Sequence, residues 1–323
     1  MRVLVTGCAG FIASRVTEAL IRNGHEVVGV DNLNDAYDPR LKEWRLGRLR
    51  ELSRFSWHSL DILEQGALRE LLQSHPVKAV LNLAARAGVR QSLVNPWIYY
   101  ATNVTGTLNL LELCRELGIR TFVLASTSSL YAGNEGAFRE DLPTDRPLSP
   151  YAASKKAAET LAYSYHRMFG IDVAVLRYFT VYGPAGRPDM SVFRFIRWIA
   201  AGDPLIIYGD GRQQRDFTYV QDVAAATSLA LEVRGYEIVN VGSDRPASLQ
   251  HVIALLEKRI GRKAILEHRP PHPADVAATW ADIGKARRLL GWEPRTTLED
   301  GLDAAVTWYE ENRSWASQLA LGE

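Results

Sequence analysis

The segment LSPYAASKKAAE, residues 148–159, places Tyr151 four residues before Lys155 at the predicted start of a helix. Pro150 suits a first helical turn because its missing N–H is not needed there, and the Ala, Lys and Glu that follow favour helix. Residues four apart share one helix face. A lysine ammonium about 4 Å from the phenol oxygen contributes roughly 4 kcal/mol at an effective dielectric of about 20, or about three pKa units. The spacing therefore predicts a tyrosine that acts as a general base near neutral pH, although a half-buried ring beside a solvated charge has the same spacing.

A glycine-rich turn follows the first predicted strand, where RVLVT runs into TGCAGFIAS. Gly7 permits the tight turn, Gly10 lets backbone N–H groups approach a pyrophosphate, and the small Ala13 lets helix pack on strand. Asp31 ends the second strand, where a carboxylate accepts hydrogen bonds from a ribose 2′-OH and repels a 2′-phosphate. This order predicts a dinucleotide site that prefers NAD to NADP, the alternative being a turn without a ligand.

Other predicted cofactor contacts follow the strand ends of the same half of the chain. By position, Asp61 and Ile62 reach the adenine, and the apolar residues Leu83, Ala84 and Ala85 let the cofactor pass. The remaining predicted cofactor contacts are Phe11, Ile12, Asn32, Asn103, Ser126, Tyr151, Lys155 and Tyr178.

Short apolar runs alternate with helical patterns through the first half of the chain. The runs are RVLVT, HEVVGV, FSWHSL, KAVLNLAA, RTFVLAS and IDVAVLR, and the helices are predicted at about 12–23, 39–52, 64–74, 96–117 and 151–169, ending near Gly24, Gly118 and Gly170. Such alternation is typical of an α/β protein with a doubly wound parallel (Rossmann) sheet.

Beyond Arg177 the pattern changes to loops rich in Gly, Pro and aromatic residues, which indicates a smaller C-terminal α/β substrate domain. Helical patterns recur near 190–201, 220–233, 249–260 and 299–313. Because 220–243 resembles a return to the first sheet, we assign residues 1–178 plus about 219–243 to the NAD-binding domain. The substrate domain then comprises about 179–218 plus 244–323.

Composition excludes several classes of function. The 323 residues carry 38 basic and 37 acidic side chains, and no basic run is interleaved with aromatic residues, so we expect no nucleic-acid partner. No apolar stretch approaches 18 residues and no signal peptide precedes the glycine-rich turn, so we expect no membrane contact and a cytoplasmic protein. Cys8 and Cys114 fit reduced thiols, and the seven histidines have no metal-ligand spacing, so no metal site is predicted.

These motifs together resemble one family. TGCAGFIAS, Asp31, NLAA, Ser126-Thr127-Ser128 and Tyr151-x-x-x-Lys155 occur in the order and at the separations of the extended short-chain dehydrogenase/reductases that act on nucleotide sugars, the NAD-dependent epimerase/dehydratase family. Within it, DNLNDAYDPRLKEWRL, AARAGVRQS, FTVYGPAGRPDM and GRQQRDFTYVQDV resemble the UDP-glucuronate 4-epimerases, which usually carry Gly and Tyr where this chain has Ala13 and Gln91. The resemblance covers essentially the whole chain.

The resemblance implies hydride chemistry with a permanently bound NAD on a UDP-sugar. Tyr151 removes a proton from a sugar hydroxyl, Lys155 holds the phenolate charge and the nicotinamide ribose, and Thr127 bridges the substrate oxygen and the tyrosine. It further implies a homodimer through the helices near 96–117 and 151–169.

A uronic acid substrate adds a hazard, because its 4-keto intermediate is a β-keto acid that loses carbon dioxide when the carboxylate lies perpendicular to the carbonyl plane. Arg187 is the candidate that holds this carboxylate, since a guanidinium grips a carboxylate with two directed hydrogen bonds. Thr127 and Ser128 are placed to donate to the same group. Thr180 belongs to the matched FTV motif, where UDP-hexose epimerases tend to have Asn.

The nucleotide diphosphate requires cations from the second domain. By resemblance Arg215 binds phosphate and Asp275 binds the nucleotide ribose, with Ala274 in place of the usual Gly. Arg90 faces the pyrophosphate or the sugar, with a surface salt bridge as the alternative.

Other functions remain open at the sequence level. UDP-glucuronate decarboxylase, UDP-glucose/UDP-galactose 4-epimerase and 4,6-dehydratase share the fold, but a dehydratase needs an acidic pair after Thr127, where this chain has Ser128-Ser129. A non-catalytic dinucleotide-sensing module has no need for Thr127, Tyr151 and Lys155 together.

Overall fold

The computed structural model describes residues 1–271 and 276–322. Its strands are β1 (Arg2–Thr6), β2 (Glu26–Asp31), β3 (Phe55–Ser59), β4 (Ala79–Asn82), β5 (Thr121–Thr127), β6 (Asp172–Tyr178), β7 (Thr180–Tyr182), β8 (Pro204–Tyr208), β9 (Gln214–Tyr219), β10 (Tyr236–Val241), β11 (Pro246–Ser248) and β12 (Ile265–Arg269). Seven of these described strands form one parallel sheet in the order β10-β6-β5-β4-β1-β2-β3. The others form two small sheets, β11-β9-β7 and β12-β8.

The large sheet is doubly wound. From β1 the chain moves outward to β2 and β3, and then crosses back to β4 on the other side of β1. A crevice is expected at such a switch point, beyond the carboxyl ends of β1 and β4. There Thr6 Oγ1 donates to Asn82 Oδ1 at 2.8 Å and accepts from the backbone N–H groups of Leu83 and Ala84, both at 3.1 Å. The predicted Rossmann sheet is confirmed, and β10 returns to it beside β6.

The helices flank the sheets. They are α1 (Phe11–Arg22), α2 (Pro39–Arg50), α3 (Gln65–Ser74), α4 (Val89–Val94), α5 (Pro96–Tyr100), α6 (Gly106–Leu117), α7 (Pro150–Phe169), α8 (Ser191–Ala201), α9 (Val220–Leu229), α10 (Leu249–Ile260), α11 (Gly284–Leu290), α12 (Leu298–Glu311) and α13 (Arg313–Ala316). Gly118 and Gly170 end α6 and α7 in the left-handed region, at φ of 68° and 67°, as predicted.

The prediction of a single helix at 96–117 is wrong. The segment is divided into α5, a π-helical turn at Ala101–Thr105 and α6. The π turn is the site where the Asn103 side chain bonds to the backbone of Arg86, outside the helix. Such tertiary contacts accompany π-helical turns, and apolar periodicity alone does not reveal them.

Apolar side chains form cores on both faces of the large sheet and a third core among the small sheets, α8, α10 and α12. Leu41 on α2 belongs to this third core, although α2 follows a strand of the large sheet. The segment 32–45 therefore joins the two parts of the chain beside the crevice.

Candidate active site

A cleft of about 380 Å³ opens at the carboxyl ends of the central strands. It brings together most of the residues predicted for cofactor and substrate: Gly7, Gly10, Phe11, Ile12, Asp31, Asn32, Asp61, Ile62, Leu83, Ala84, Ala85, Ser126, Thr127, Ser128, Tyr151, Lys155, Tyr178, Thr180 and Arg187. Many of these residues lie at or just after strand ends that stand side by side in the sheet, and α1, α7 and the loop after β7 supply others, which is why residues far apart in sequence meet.

The glycine turn forms one end of the cleft. Gly7 has φ of 67°, and a Cβ there would lie 2.8 Å from Ala84 Cα. Gly10 N donates to Gly7 O at 2.7 Å, and a Cβ on Gly10 would lie 2.8 Å from the same oxygen. Gly10 caps α1 without a side-chain hydrogen bond, so the first N–H groups of this helix have no side-chain acceptor at the cap. This arrangement fits the pyrophosphate of a dinucleotide.

The Asp31 carboxylate is held at the end of β2. It accepts from Ala9 N at 3.1 Å and Leu33 N at 2.8 Å, and it is buried. Asn32 Nδ2 donates to Asp61 Oδ2 at 2.6 Å, which joins the two predicted adenosine contacts. The geometry supports a ribose at Asp31.

Lys42 is a cleft residue that the sequence prediction missed. Its Nζ lies 3.9 Å from Asp31 Oδ1 and donates to Asn34 Oδ1 at 2.9 Å. Burial lowers the pKa of Lys42 to about 8, and the charges of nearby arginines act in the same direction, whereas Asp31 opposes them. The only signal was its place in the DNLNDAYDPRLKEWRL motif, where a helical lysine looks like surface.

Tyr151 and Lys155 lie on the first turns of α7, which begins at Pro150 and is capped by the Ser149 hydroxyl. The expected lowering of the Tyr151 pKa by Lys155 is not found. Burial raises the pKa of Tyr151, while a hydrogen bond to Thr127 and the charge of Arg187 act in the opposite direction. Lys155 Nζ instead donates to Ala125 O at 2.9 Å, and burial lowers its own pKa to about 8.

Thr127 and Ser126 end β5 beside the tyrosine. Thr127 Oγ1 accepts from Ser129 N at 3.1 Å, which starts a 3₁₀ turn at Ser128–Tyr131. The Ser126 hydroxyl donates to Glu159 Oε1 at 2.6 Å, so this hydroxyl is engaged with protein rather than aimed at a cofactor. The side chain that faces Tyr151 from this strand end is Thr127, as predicted.

The polar side-chain atoms of Asn103 and Tyr178, two other predicted cofactor contacts, form hydrogen bonds within the protein. Asn103 does not line the cleft, because its amide bonds to Arg86 N at 2.9 Å, Arg86 O at 3.0 Å and Ser154 Oγ at 2.9 Å. It therefore ties the 86–88 loop to α7, which corrects the predicted direct contact. The Tyr178 hydroxyl bonds to Thr227 Oγ1 at 2.8 Å, which leaves its ring to line the cleft.

Arg187 reaches the cleft from the loop after β7. Its Nε and Nη2 donate to the two carboxylate oxygens of Asp189 at 3.0 and 2.7 Å, and Nη2 approaches Ala87 O at 3.4 Å. The guanidinium also lies 5.4 Å from the centre of the Tyr37 ring. Although burial acts in the opposite direction, Asp189 raises the pKa of Arg187, which keeps it charged.

The predicted diphosphate residues lie outside the cleft lining. The Arg90 guanidinium stacks 4.0 Å from the centre of the Tyr208 ring, and Arg215 Nη1 donates to Gln214 O at 2.8 Å. Asp275 lies outside the described residues.

Within residues 1–271 and 276–322, no three His, Cys, Asp or Glu side chains stand close enough to hold a metal ion. No helix in the same ranges has the length and apolar character needed to cross a membrane.

Comparison with known proteins places this cleft in context. Residues 3–242 match the model of the NAD dependent epimerase/dehydratase family. The chain belongs to this family. Members of the epimerase/dehydratase family that resemble it include a UDP-glucuronate 4-epimerase of Thermodesulfobacterium geofontis, 55% identical over 96% of this chain and 96% of that protein.

Solved structures of the family share the fold. The UDP-glucuronic acid 4-epimerase of Bacillus cereus, in complex with UDP-glucuronic acid and NAD, is 40% identical, with a TM-score of 0.92 over 97% of this chain and 100% of that one. The UDP-glucose 4-epimerase of Thermotoga maritima, with UDP-glucose, is 33% identical, with a TM-score of 0.89 over 97% of this chain and 100% of that one. The family resemblance predicted from the sequence motifs is confirmed.

Proposed function

We propose that this protein is an NAD-dependent UDP-glucuronate 4-epimerase that converts UDP-glucuronate to UDP-galacturonate through a 4-keto intermediate. One observation carries the proposal: Arg187 and Tyr151 line the same cleft, and each alters the pKa of the other. A guanidinium beside the base is suited to a sugar with a carboxylate next to the reacting carbon. The 55% identity to a UDP-glucuronate 4-epimerase supports the same substrate.

The residues at the glycine turn fit NAD. Gly7 and Gly10 bring backbone N–H groups to the pyrophosphate, and Asp31 accepts from the adenosine ribose. When bound, NAD supplies a hydride acceptor and, in the second half of the reaction, a hydride donor. The apolar Ile62, Leu83 and Ala84 line the path between the two ends of the site.

Tyr151 acts as the base in the first half of the reaction. Its phenolate takes the proton of the 4-hydroxyl as the C4 hydride leaves, and Thr127 donates a hydrogen bond to the same substrate oxygen. The sugar then turns over, so that hydride returns to the opposite face of C4 and Tyr151 gives back the proton. In this proposal the Lys155 ammonium, which donates to Ala125 O in the structure, would turn to the phenolate and to the ribose of the cofactor when NAD is bound.

The 4-keto uronate must be kept from decarboxylating. Arg187 holds the carboxylate near the plane of the 4-keto group, where the bond to the carboxylate carbon cannot overlap with the π orbitals of the ketone. Thr180, Thr127 and Ser128 add hydroxyl donors. These roles are part of the proposal. A decarboxylase and an epimerase differ by this restraint.

The nucleotide part of the substrate binds on the other side of the cleft. Arg215 binds the diphosphate, Asp275 binds the uridine ribose, and Arg90 adds positive charge toward the pyrophosphate. We assign these three contacts by their place in the matched motifs. No nucleic-acid or membrane partner is included.

The proposal includes a homodimer. Large apolar side chains are exposed on α4, α5 and α7, with Val94 and Trp97 at 79% and 83% exposure and Tyr163 and Met168 at 48% and 75%. Exposed apolar surface of this kind is typical of subunit interfaces. The helices near 96–117 and 151–169 would pair with those of a second copy.

The proposal also covers the domain boundaries and the cellular location. The NAD-binding domain comprises residues 1–178 plus about 219–243, and the nucleotide-sugar-binding domain comprises about 179–218 plus 244–323. The enzyme acts in the cytoplasm, which is supported by two buried cysteines that form no disulfide.

Proton NMR of reaction mixtures tests the function. Purified protein with NAD is incubated separately with UDP-glucuronate and UDP-glucose. UDP-galacturonate without UDP-pentose is the expected product, because the restrained carboxylate survives. A UDP-pentose product would establish a decarboxylase, conversion of UDP-glucose alone would establish a hexose epimerase, and no turnover of any UDP-sugar would favour a non-catalytic dinucleotide-binding protein.

A further inference from the structure

A buried ion pair lies behind the reacting side chains. Glu159 stands one helical turn after Lys155 on α7, and Arg177 on β6 is the register partner of Ser126 on β5. Arg177 Nε donates to Glu159 Oε1 at 2.9 Å and Nη2 donates to Oε2 at 2.8 Å. Both residues are 1% exposed and neither lines the cleft. Each charge therefore depends on the other for compensation.

The same carboxylate joins α7 to the end of β5. Glu159 Oε1 accepts from the Ser126 hydroxyl at 2.6 Å, and the next residue along β5 is Thr127. Arg177 Nη1 extends the network to the Tyr131 hydroxyl at 2.7 Å. The distance between the helix that carries Tyr151 and the strand that carries Thr127 is thus set by bonds that meet at Glu159.

Glu159 is also the acidic side chain four residues after Lys155, on the same face of α7, and its Oε2 lies 3.7 Å from Lys156 Nζ. The Lys155 side chain is 3% exposed, and its ammonium donates to Ala125 O. Burial lowers the pKa of Lys155, and the charge of Glu159 is the cause that raises it. The charged and titratable groups around the pair are Tyr151 and Lys156 on α7, Arg177 on β6, Tyr131 after β5, Tyr236 on β10 and Glu140 beside β10.

We propose that Glu159, held by Arg177, is a positioning residue of the active site: it fixes Thr127 against Tyr151 through Ser126, and it keeps Lys155 in the ammonium form. This inference rests on the proposed function, because a charged Lys155 matters where a phenolate must be stabilised. It adds a residue that makes no contact with the cleft. Removal of the Glu159 charge, one helical turn from Lys155, lowers the pH at which Lys155 loses its proton.

Competitive labelling of amines with acetic anhydride as a function of pH measures this directly. Peptide mass spectrometry of the full chain, without substrate, gives the midpoint of Lys155 reactivity. In Glu159→Gln the midpoint is expected to fall by about one pH unit, whereas Glu159→Asp, which keeps the carboxylate, is expected to show a smaller fall. Glu112→Gln, which breaks a carboxylate pair with Arg115 on α6, is the matched control and leaves the Lys155 midpoint unchanged.

Glu159→Asp separates the charge role from general damage to the fold, because both variants disturb the bonds to Arg177 and Ser126 but only Glu159→Gln loses the charge. If Glu159→Gln fails to fold, the kinetics of Ser126→Ala still tests the positional role. No shift in Glu159→Gln, or an equal fall in Glu159→Asp, would overturn the charge role. Because no substrate is present, this result does not depend on which UDP-sugar the enzyme accepts.

Steady-state kinetics tests the second role. Ser126→Ala removes the bond to Glu159 but no charge, so kcat is expected to fall about tenfold at every pH, with KM and bound NAD unchanged. An unchanged kcat would overturn the positional role of the Glu159 to Ser126 bond.

Discussion

Arg187 donates two parallel hydrogen bonds to Asp189, from Nε at 3.0 Å and from Nη2 at 2.7 Å, inside the cleft that holds Tyr151. The guanidinium that we expect to hold the substrate carboxylate is therefore already oriented by a carboxylate of the protein. Of its amino groups, Nη1 makes none of these bonds to Asp189. We therefore expect the uronate carboxylate to bind at the Nη1 edge of the guanidinium or to displace Asp189 from it.

Arg187→Ala should weaken use of UDP-glucuronate more than use of UDP-glucose. A hydrogen-bonded charge contributes about 1.5–3 kcal/mol, so kcat/KM for the uronate should fall roughly 10- to 150-fold, with a change below about threefold for the hexose. Arg187→Lys, which keeps the charge and loses the fork, should fall in between. Equal losses on both substrates would contradict the carboxylate role.

Asp189→Asn should tighten the binding of UDP-glucuronate. Removal of a like charge beside the site leaves the Arg187 cation to the substrate, so the Kd by calorimetry should fall by about three- to tenfold. Asp210→Asn, which changes an exposed carboxylate paired with Arg212, serves as the control. Weaker binding in Asp189→Asn would mean that Asp189 chiefly orients the guanidinium.

Tyr151→Phe should abolish turnover and leave bound NAD in place. General base catalysis contributes about 10²–10⁴-fold, so kcat should fall by at least that factor while the NAD content, read by absorbance after denaturation, stays at the wild-type value. Tyr99→Phe is the neighbouring control, because its ring lies 6.1 Å from that of Tyr151 and its hydroxyl contacts Ala87 O. Retained turnover in Tyr151→Phe would remove the base assignment.

Gly7→Ala should prevent cofactor binding. The new Cβ would lie 2.8 Å from Ala84 Cα, and the φ of 67° is costly for any residue with a Cβ. NAD content should drop at least about tenfold, because the turn must open to relieve the contact with the Ala84 backbone. Gly47→Ala in α2, where nothing lies within 4 Å of the new Cβ, should instead stabilise the protein by about 1 kcal/mol in urea unfolding. Full NAD occupancy in Gly7→Ala would show that a side chain at position 7 does not disturb the turn against Ala84.

Trp97→Asp should convert the proposed homodimer to monomer. The indole is 83% exposed on the chain by itself, and a charge in an apolar interface is strongly disfavoured. Analytical ultracentrifugation reports the change, with Ile265→Asp on the exposed strand β12 as the control for a general effect of added charge. A wild-type monomer, or an unaltered dimer in Trp97→Asp, would exclude this interface.

The sequence by itself determined the parts of this protein that depend on short-range spacing. The four-residue spacing of Tyr151 and Lys155 places both on one helix face, and the order of strand, Gly7, helix and Asp31 specifies the dinucleotide site. Alternating apolar runs likewise specified the parallel sheet, because strand and helix periods are local properties of the chain.

The tertiary structure decided what surrounds those residues. Glu159 meets Ser126 and Arg177, and Lys42 meets Asp31, only because separate strands and helices end at the same edge of the sheet. Burial at that edge raises the pKa of Tyr151, where spacing alone predicted a lowered value. Solvation and the directions of neighbouring charges depend on the whole packed chain, so a sequence pattern identifies the reacting groups while the fold sets their protonation.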